Sequence, residues 1–144
     1  MLTVEKVMFL RSVGIFSSVG DEYLADIAQR MDEVHMAAGH TLFKKGDTGT
    51  LMYVIVNGKI RIHVDDDTLA ELGELDVLGE MAALDPEPRS ASATTIEDTT
   101  LLSLGNDDLR QLMEIDAELA SGIIRMLCRR LRATDERGFG KIKR

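Results

Sequence analysis

The chain is poor in the residues that small folds use as staples. It has one cysteine, Cys128, so no internal disulfide forms, and packing has to hold the fold. It has no tryptophan, and aromatics make up 4% of the residues, which leaves the core to aliphatic side chains. Both prolines fall within one short stretch, Pro86 and Pro88. No apolar run approaches the ~20 residues needed to span a bilayer, and Glu5 interrupts the place where a signal peptide needs an apolar core. These features point to a soluble cytoplasmic domain, free-standing or part of a larger or membrane-associated protein. The net charge of −8 disfavours nonspecific nucleic-acid binding through the whole surface. Charge is uneven: residues 125–144 hold eight Lys/Arg against two acids, a basic tail on an acidic body.

At 144 residues the chain suits one domain with its own core. Val4, Val7, Met8 and Leu10, then Leu24, Ile27, Ala28 and Met31, recur at helical spacing, so residues 1–31 read as a helical lead-in. From 32 to 104 the pattern becomes short β-type runs between turn glycines. Asn57-Gly58 predicts a tight hairpin joining 51–56 to 59–64, with Leu51, Tyr53, Ile55, Ile60, Ile62 and Val64 on one core face. Further strands at 68–72, 90–95 and 99–104 bring the total to about eight, which suits a jelly-roll barrel. Helical spacing returns over 106–134, with Asn106 as N-cap, Leu109, Leu112 and Met113 on one helix, and Leu119, Ile123, Leu127 and Leu131 as the stripe of a second. The expected fold is therefore mainly β with flanking α: an eight-stranded jelly-roll barrel with N-terminal helices and two C-terminal helices. It occupies residues 1–134, with 135–144 as the basic tail.

Nothing in the chain reads as a catalyst. His35, His40 and His63 are scattered and have no partner nucleophile. Asp65-Asp66-Asp67 lacks the spaced ligands and the glycine of a calcium loop, so no metal is expected.

The stretch from Gly79 to Ser92, GEMAALDPEPRSAS, carries the chemistry. A short helix opening at Glu80-Met81-Ala82 would present unpaired N–H groups and a positive dipole end to a phosphate. Ionised Glu80 accepts but cannot donate, which suits a sugar hydroxyl. Arg89 offers a planar fork for two phosphate oxygens. Pro86 and Pro88 stiffen the loop between.

Gly79-Glu80-Met81-Ala82 followed by Pro88-Arg89-Ser90-Ala91-Ser92 resembles the phosphate-binding cassette of cyclic-nucleotide-binding domains, as in catabolite activator proteins and cAMP-dependent kinase regulatory subunits. The resemblance implies that Glu80 takes the ribose hydroxyl. It gives the cyclic phosphate to Arg89 with the backbone of Gly79, Met81, Ala82 and Ala91, and a further ligand contact to Ser90. Ile62, Val64, Leu72 and Met81 are expected near the base. The implied ligand is cAMP, with cGMP left open by Ser90, and no other cofactor is implied. The implied output is movement of the C-terminal helix, which can also pair with a second copy. Only eleven residues follow Ala133, too few for a DNA-binding helix-turn-helix, so the effector is expected elsewhere, and Thr3–Leu10 resembles the lead-in of such domains within larger proteins. Leu78, Ala83 and Pro86 depart from the family pattern, which keeps a second reading open: an empty cassette serving as an interaction or dimerisation module.

Overall fold

The computed structural model describes residues 1–80, 84–85 and 87–134. Helix α1 (Thr3–Leu10), a 3₁₀ turn (Gly14–Phe16) and helix α2 (Asp21–Arg30) lead into eight strands. These are β1 (Asp32–Met36), β2 (Thr41–Phe43), β3 (Leu51–Asn57), β4 (Ile60–Val64), β5 (Asp67–Leu72), β6 (Val77–Leu78), β7 (Ser92–Thr95) and β8 (Thr99–Gly105). Helices α3 (Asn106–Ile115) and α4 (Ala117–Thr134) follow. Among the described residues, no helix is long and apolar enough to cross a membrane. The basic tail, 135–144, lies outside the described residues.

The strands form two four-stranded antiparallel sheets, ordered β1-β8-β3-β6 and β2-β7-β4-β5. Alternation along the strands explains the layering. On β3, Tyr53 and Ile55 face the second sheet, where they pack with Ile60, Leu78, Ala93 and Leu101. Met52 and Val54 point the other way, into a larger cluster with Leu10, Phe16, Leu24, Ile27, Leu109 and Leu119 from the helical segments. One sheet is thus covered on both faces, by helices and by the other sheet.

That double burial overturns the Asn57-Gly58 hairpin. β3 pairs with β8 and β6, whereas β4 pairs with β5 and β7, so Asn57-Gly58 carries the chain from one sheet to the other. A strand apolar on both faces belongs in the interior of a sheet: β6 borders one edge of β3 over two residues, and β8 supplies the long ladder on the other, from Leu51↔Gly105 to Asn57↔Thr100. Gly58 is needed at the corner: its φ is +106°, and a Cβ there would lie 2.7 Å from the Asp98 carbonyl oxygen. Of the face predicted to line the core, Tyr53, Ile55 and Ile60 are buried in the inter-sheet core and Ile62 packs against it, while Leu51 is exposed. The hairpin that does form is β4–β5, closed by Asp65-Asp66 with Asp65 at φ +51°.

Two helical expectations shift in phase. Asn106 is the first residue of α3, with extended Gly105 as its cap, and its N–H donates to the Thr50 carbonyl. On α4, Leu119 and Ile123 are fully buried but Leu131 is 64% exposed. Steps of four residues drift around a helix of 3.6 residues per turn, so a strict i+4 stripe leaves the core. The face that stays inward runs Leu119, Ile123, Met126 and on to Arg130. Gly122 lets α4 approach the 3₁₀ turn, since a Cβ there would sit 2.7 Å from the Ile15 carbonyl oxygen.

Candidate functional site

The cassette segment leaves the first sheet at β6 and returns at β7 in the second. Gly79, at φ +81°, turns the chain directly after β6 and sets Glu80 inside the protein, 2% exposed. Before β7, the Arg89 N–H donates to the Asp47 carbonyl at 2.8 Å, and the Arg89 carbonyl accepts from the Gly46 N–H at 2.7 Å. A bridge between Thr48 and Pro88 continues this pairing. The loop between β2 and β3 therefore fixes the backbone that carries Arg89.

The Arg89 side chain is 8% exposed and closely framed. Its Nη2 donates to the Leu51 carbonyl at 3.0 Å and its Nη1, more weakly, to the Gly79 carbonyl at 3.4 Å. The guanidinium lies over the Phe43 ring, 4.2 Å from the centroid. Gly49 makes room for it: a Cβ there would fall 2.2 Å from Nη2, so the guanidinium would have to move. The Nε–H has no hydrogen-bond partner among the described residues. Burial pulls the Arg89 pKa below its ordinary value, against upward pulls from Tyr53, Glu80 and Asp47.

Glu80 forms an ion pair with Arg130 of α4, which also donates to the Val77 carbonyl. Burial nonetheless dominates and holds the Glu80 carboxyl above the usual glutamate range, opposed by the charges of Arg130 and Arg89 and by a backbone hydrogen bond.

Glu80, Arg89 and Arg130 line one cleft of about 510 Å³. Ile62, Ala70, Leu72, Val77 and Leu78 form its apolar wall, and Asp85, Glu87 and Ser90 also border it. Gly79, Glu80, Arg89, Ser90, Ala91, Ile62 and Leu72, all singled out in the sequence, thus meet around one space. Val64 is not part of this lining: it sits at the turn end of β4, opposite Asp67. Met81 and Ala82 lie outside the described residues, as do Ala83 and Pro86. The histidines stay apart: His63 bonds Thr94 and the Asp65 carbonyl on the second sheet, and His35 bonds Thr100 and Glu33.

The architecture agrees with that of known proteins. The family model of the cyclic nucleotide-binding domain matches residues 33–116, from β1 to the start of α4. The chain belongs to the cyclic nucleotide-binding domain family. This domain is 34% identical over 131 residues to the CRP-like cAMP-activated global transcriptional regulator of Mycobacterium tuberculosis, covering 88% of this chain and 58% of that protein. It is 39% identical over 102 residues to the Cyclic AMP receptor protein of Thermus thermophilus, covering 67% of this chain and 47% of the relative. The chain thus spans about half the length of these two relatives. Among solved structures, the N-terminal domain of a transcriptional regulator from Streptomyces coelicolor superposes with a TM-score of 0.71 at 36% identity, over 89% of this chain and 92% of that one.

The residues that frame Arg89 and Glu80 from outside the cassette, Phe43, Gly49 and Arg130, escaped the sequence reading. Phe43 and Gly49 are remote from the cassette in sequence and reach it through the pairing of Phe43 with Ala93 and of Thr48 with Pro88. Arg130 is hidden among Arg125, Arg129 and Arg132. Its signal was helical phase, since it lies seven residues beyond Ile123 and so on the side of α4 that Ile123 turns inward.

Proposed function

We propose that this cyclic nucleotide-binding domain is a regulatory module whose cleft takes cAMP, with cGMP as the second ligand. Glu80 accepts from the ribose hydroxyl, Arg89 and the cassette backbone donate to the cyclic phosphate, and Ser90 adds a hydroxyl beside it. Ile62 and Leu72 meet the purine. The two sheets act together as the jelly roll that holds these groups. The cAMP-named relatives support this choice of ligand.

The observation that carries the reading is Arg89: a guanidinium 8% exposed, lining the cleft, with an Nε–H unpartnered among the described residues. A desolvated cation is costly unless an anion meets it, and the neighbouring carboxylate, Glu80, is already engaged by Arg130. A phosphodiester, with one negative charge, fits that need.

The response would pass through α4. Arg130 joins that helix to the same carboxylate that reads the sugar, so a ligand on Glu80 changes what holds α4 in place. It shifts the helix only by binding one arrangement better than another. Exposed Ile124 and Leu131 support pairing of α4 with a second copy.

The ribose assignment is tested by titrating the domain with cAMP and with 2′-deoxy-cAMP. Losing a hydrogen bond to a charged group should weaken the deoxy ligand by roughly tenfold or more. In Glu80→Gln that gap should narrow. An equal gap in both proteins would remove Glu80 from the sugar site.

A further inference from the structure

Phe43 ends β2, where the pairing with β7 shifts register between Thr41↔Thr94 and Phe43↔Ala93. Such a bulge re-aims the side chain next to it. The Phe43 ring packs against the inter-sheet core and also borders the cleft, directly over the Arg89 guanidinium. Each contact of Arg89 restrains a different freedom. The Leu51 and Gly79 carbonyls fix the nitrogens they accept from, and the lack of a side chain at Gly49 leaves the guanidinium the space it occupies. These restraints leave the plane of the guanidinium free to tilt about the carbonyl contacts, and the aromatic face opposes that tilt. The ring quadrupole attracts a cation lying flat above it, most strongly where water is excluded.

We propose that Phe43 is a positioning residue for the phosphate site: its π face holds the Arg89 guanidinium in the orientation from which the remaining donors meet a phosphate, so affinity depends on the electron density of that ring. This rests on the reading of the cleft as a cyclic-nucleotide site. The physical reason is preorganisation. An arginine that samples other rotamers has to be ordered by the ligand, which costs affinity, whereas a stacked one is already in place.

The test replaces Phe43 with mono-, di- and trifluorinated phenylalanine, a nearly isosteric series in which each fluorine withdraws density from the ring. The Kd for cAMP is titrated for each protein and the melting temperature is recorded. The dissociation constant should rise stepwise along the series, by about tenfold at the trifluorinated ring, with the melting temperature unchanged. Phe43→Leu, which keeps apolar bulk without a π face, should weaken binding at least as much.

A flat Kd across the series, with Arg89→Ala still abolishing binding, would overturn the proposal and leave the phosphate site intact. A melting temperature that falls in step with affinity would assign the effect to packing and overturn it as well. Absence of cAMP and cGMP binding by the parent protein would sink the reading of the cleft, and this proposal with it.

Discussion

Glu80 and Arg89 owe their properties to where the backbone places them. Each is almost fully withdrawn from water: Glu80 is engaged by Arg130, and Arg89 keeps an Nε–H with no hydrogen-bond partner among the described residues. For Glu80, burial outweighs the attraction of Arg130, and its pKa stands above the ordinary value. Between the ordinary glutamate pKa and this raised one, the folded protein holds a proton that the unfolded chain has released. Stability contributed by this group is therefore present at the acidic end of that window and falls as pH rises through it. Glu80→Gln removes the buried charge, while Arg130, itself 42% exposed on its side chain, keeps its hydrogen bond to the Val77 carbonyl. The variant should melt a few degrees higher than the parent at pH 7, with the difference vanishing below the ordinary glutamate range. A lower melting temperature at pH 7 would mean that the Arg130 pair outweighs desolvation. Glu80 and Arg89 were legible in the sequence because eleven residues of one segment, 79–89, hold both of them and their flanking glycine and prolines. Phe43 was not, because a phenylalanine closing a short apolar run looks like any core residue until the fold stacks it on a cation.

Among the elements, α4 stands out for being held in two ways. Its first half packs Leu119 and Ile123 against the helical core, and its second half meets the cleft through Arg130. Arg130→Ala should speed amide exchange beyond Met126 by roughly tenfold and leave the turns around Leu119 protected, since a charge-assisted pair is lost while the apolar contacts stay. Uniform exchange along α4 in both proteins would show that the ion pair does not hold the helix. Helices and most strands were readable from periodicity, and the β4–β5 turn falls at the aspartates. The error at Asn57-Gly58 has a plain cause. An Asn-Gly step between two apolar runs is a hairpin signal only if the runs share a sheet, and local sequence does not reveal that β3 needs cover on both faces. The drift of the α4 stripe is of the same kind: four-residue spacing approximates helical phase for one turn and fails over three.

On the scale of the whole molecule, an acidic protein of net charge −8 is proposed to capture an anion. Long-range attraction does not favour that, and beyond about 8 Å physiological salt screens it. Affinity has to come from one locally framed guanidinium, in a cleft of about 510 Å³ where the cassette passes between the two sheets and α4 closes one side. The most direct measurement is therefore an isothermal titration of the domain with cAMP, run in parallel on Arg89→Ala. The account predicts saturable one-to-one binding by the parent and a loss of a hundredfold or more in the variant, roughly the cost of removing a buried charge-assisted bidentate contact. Equal binding by both proteins, or no binding by the parent at millimolar cAMP, would contradict it.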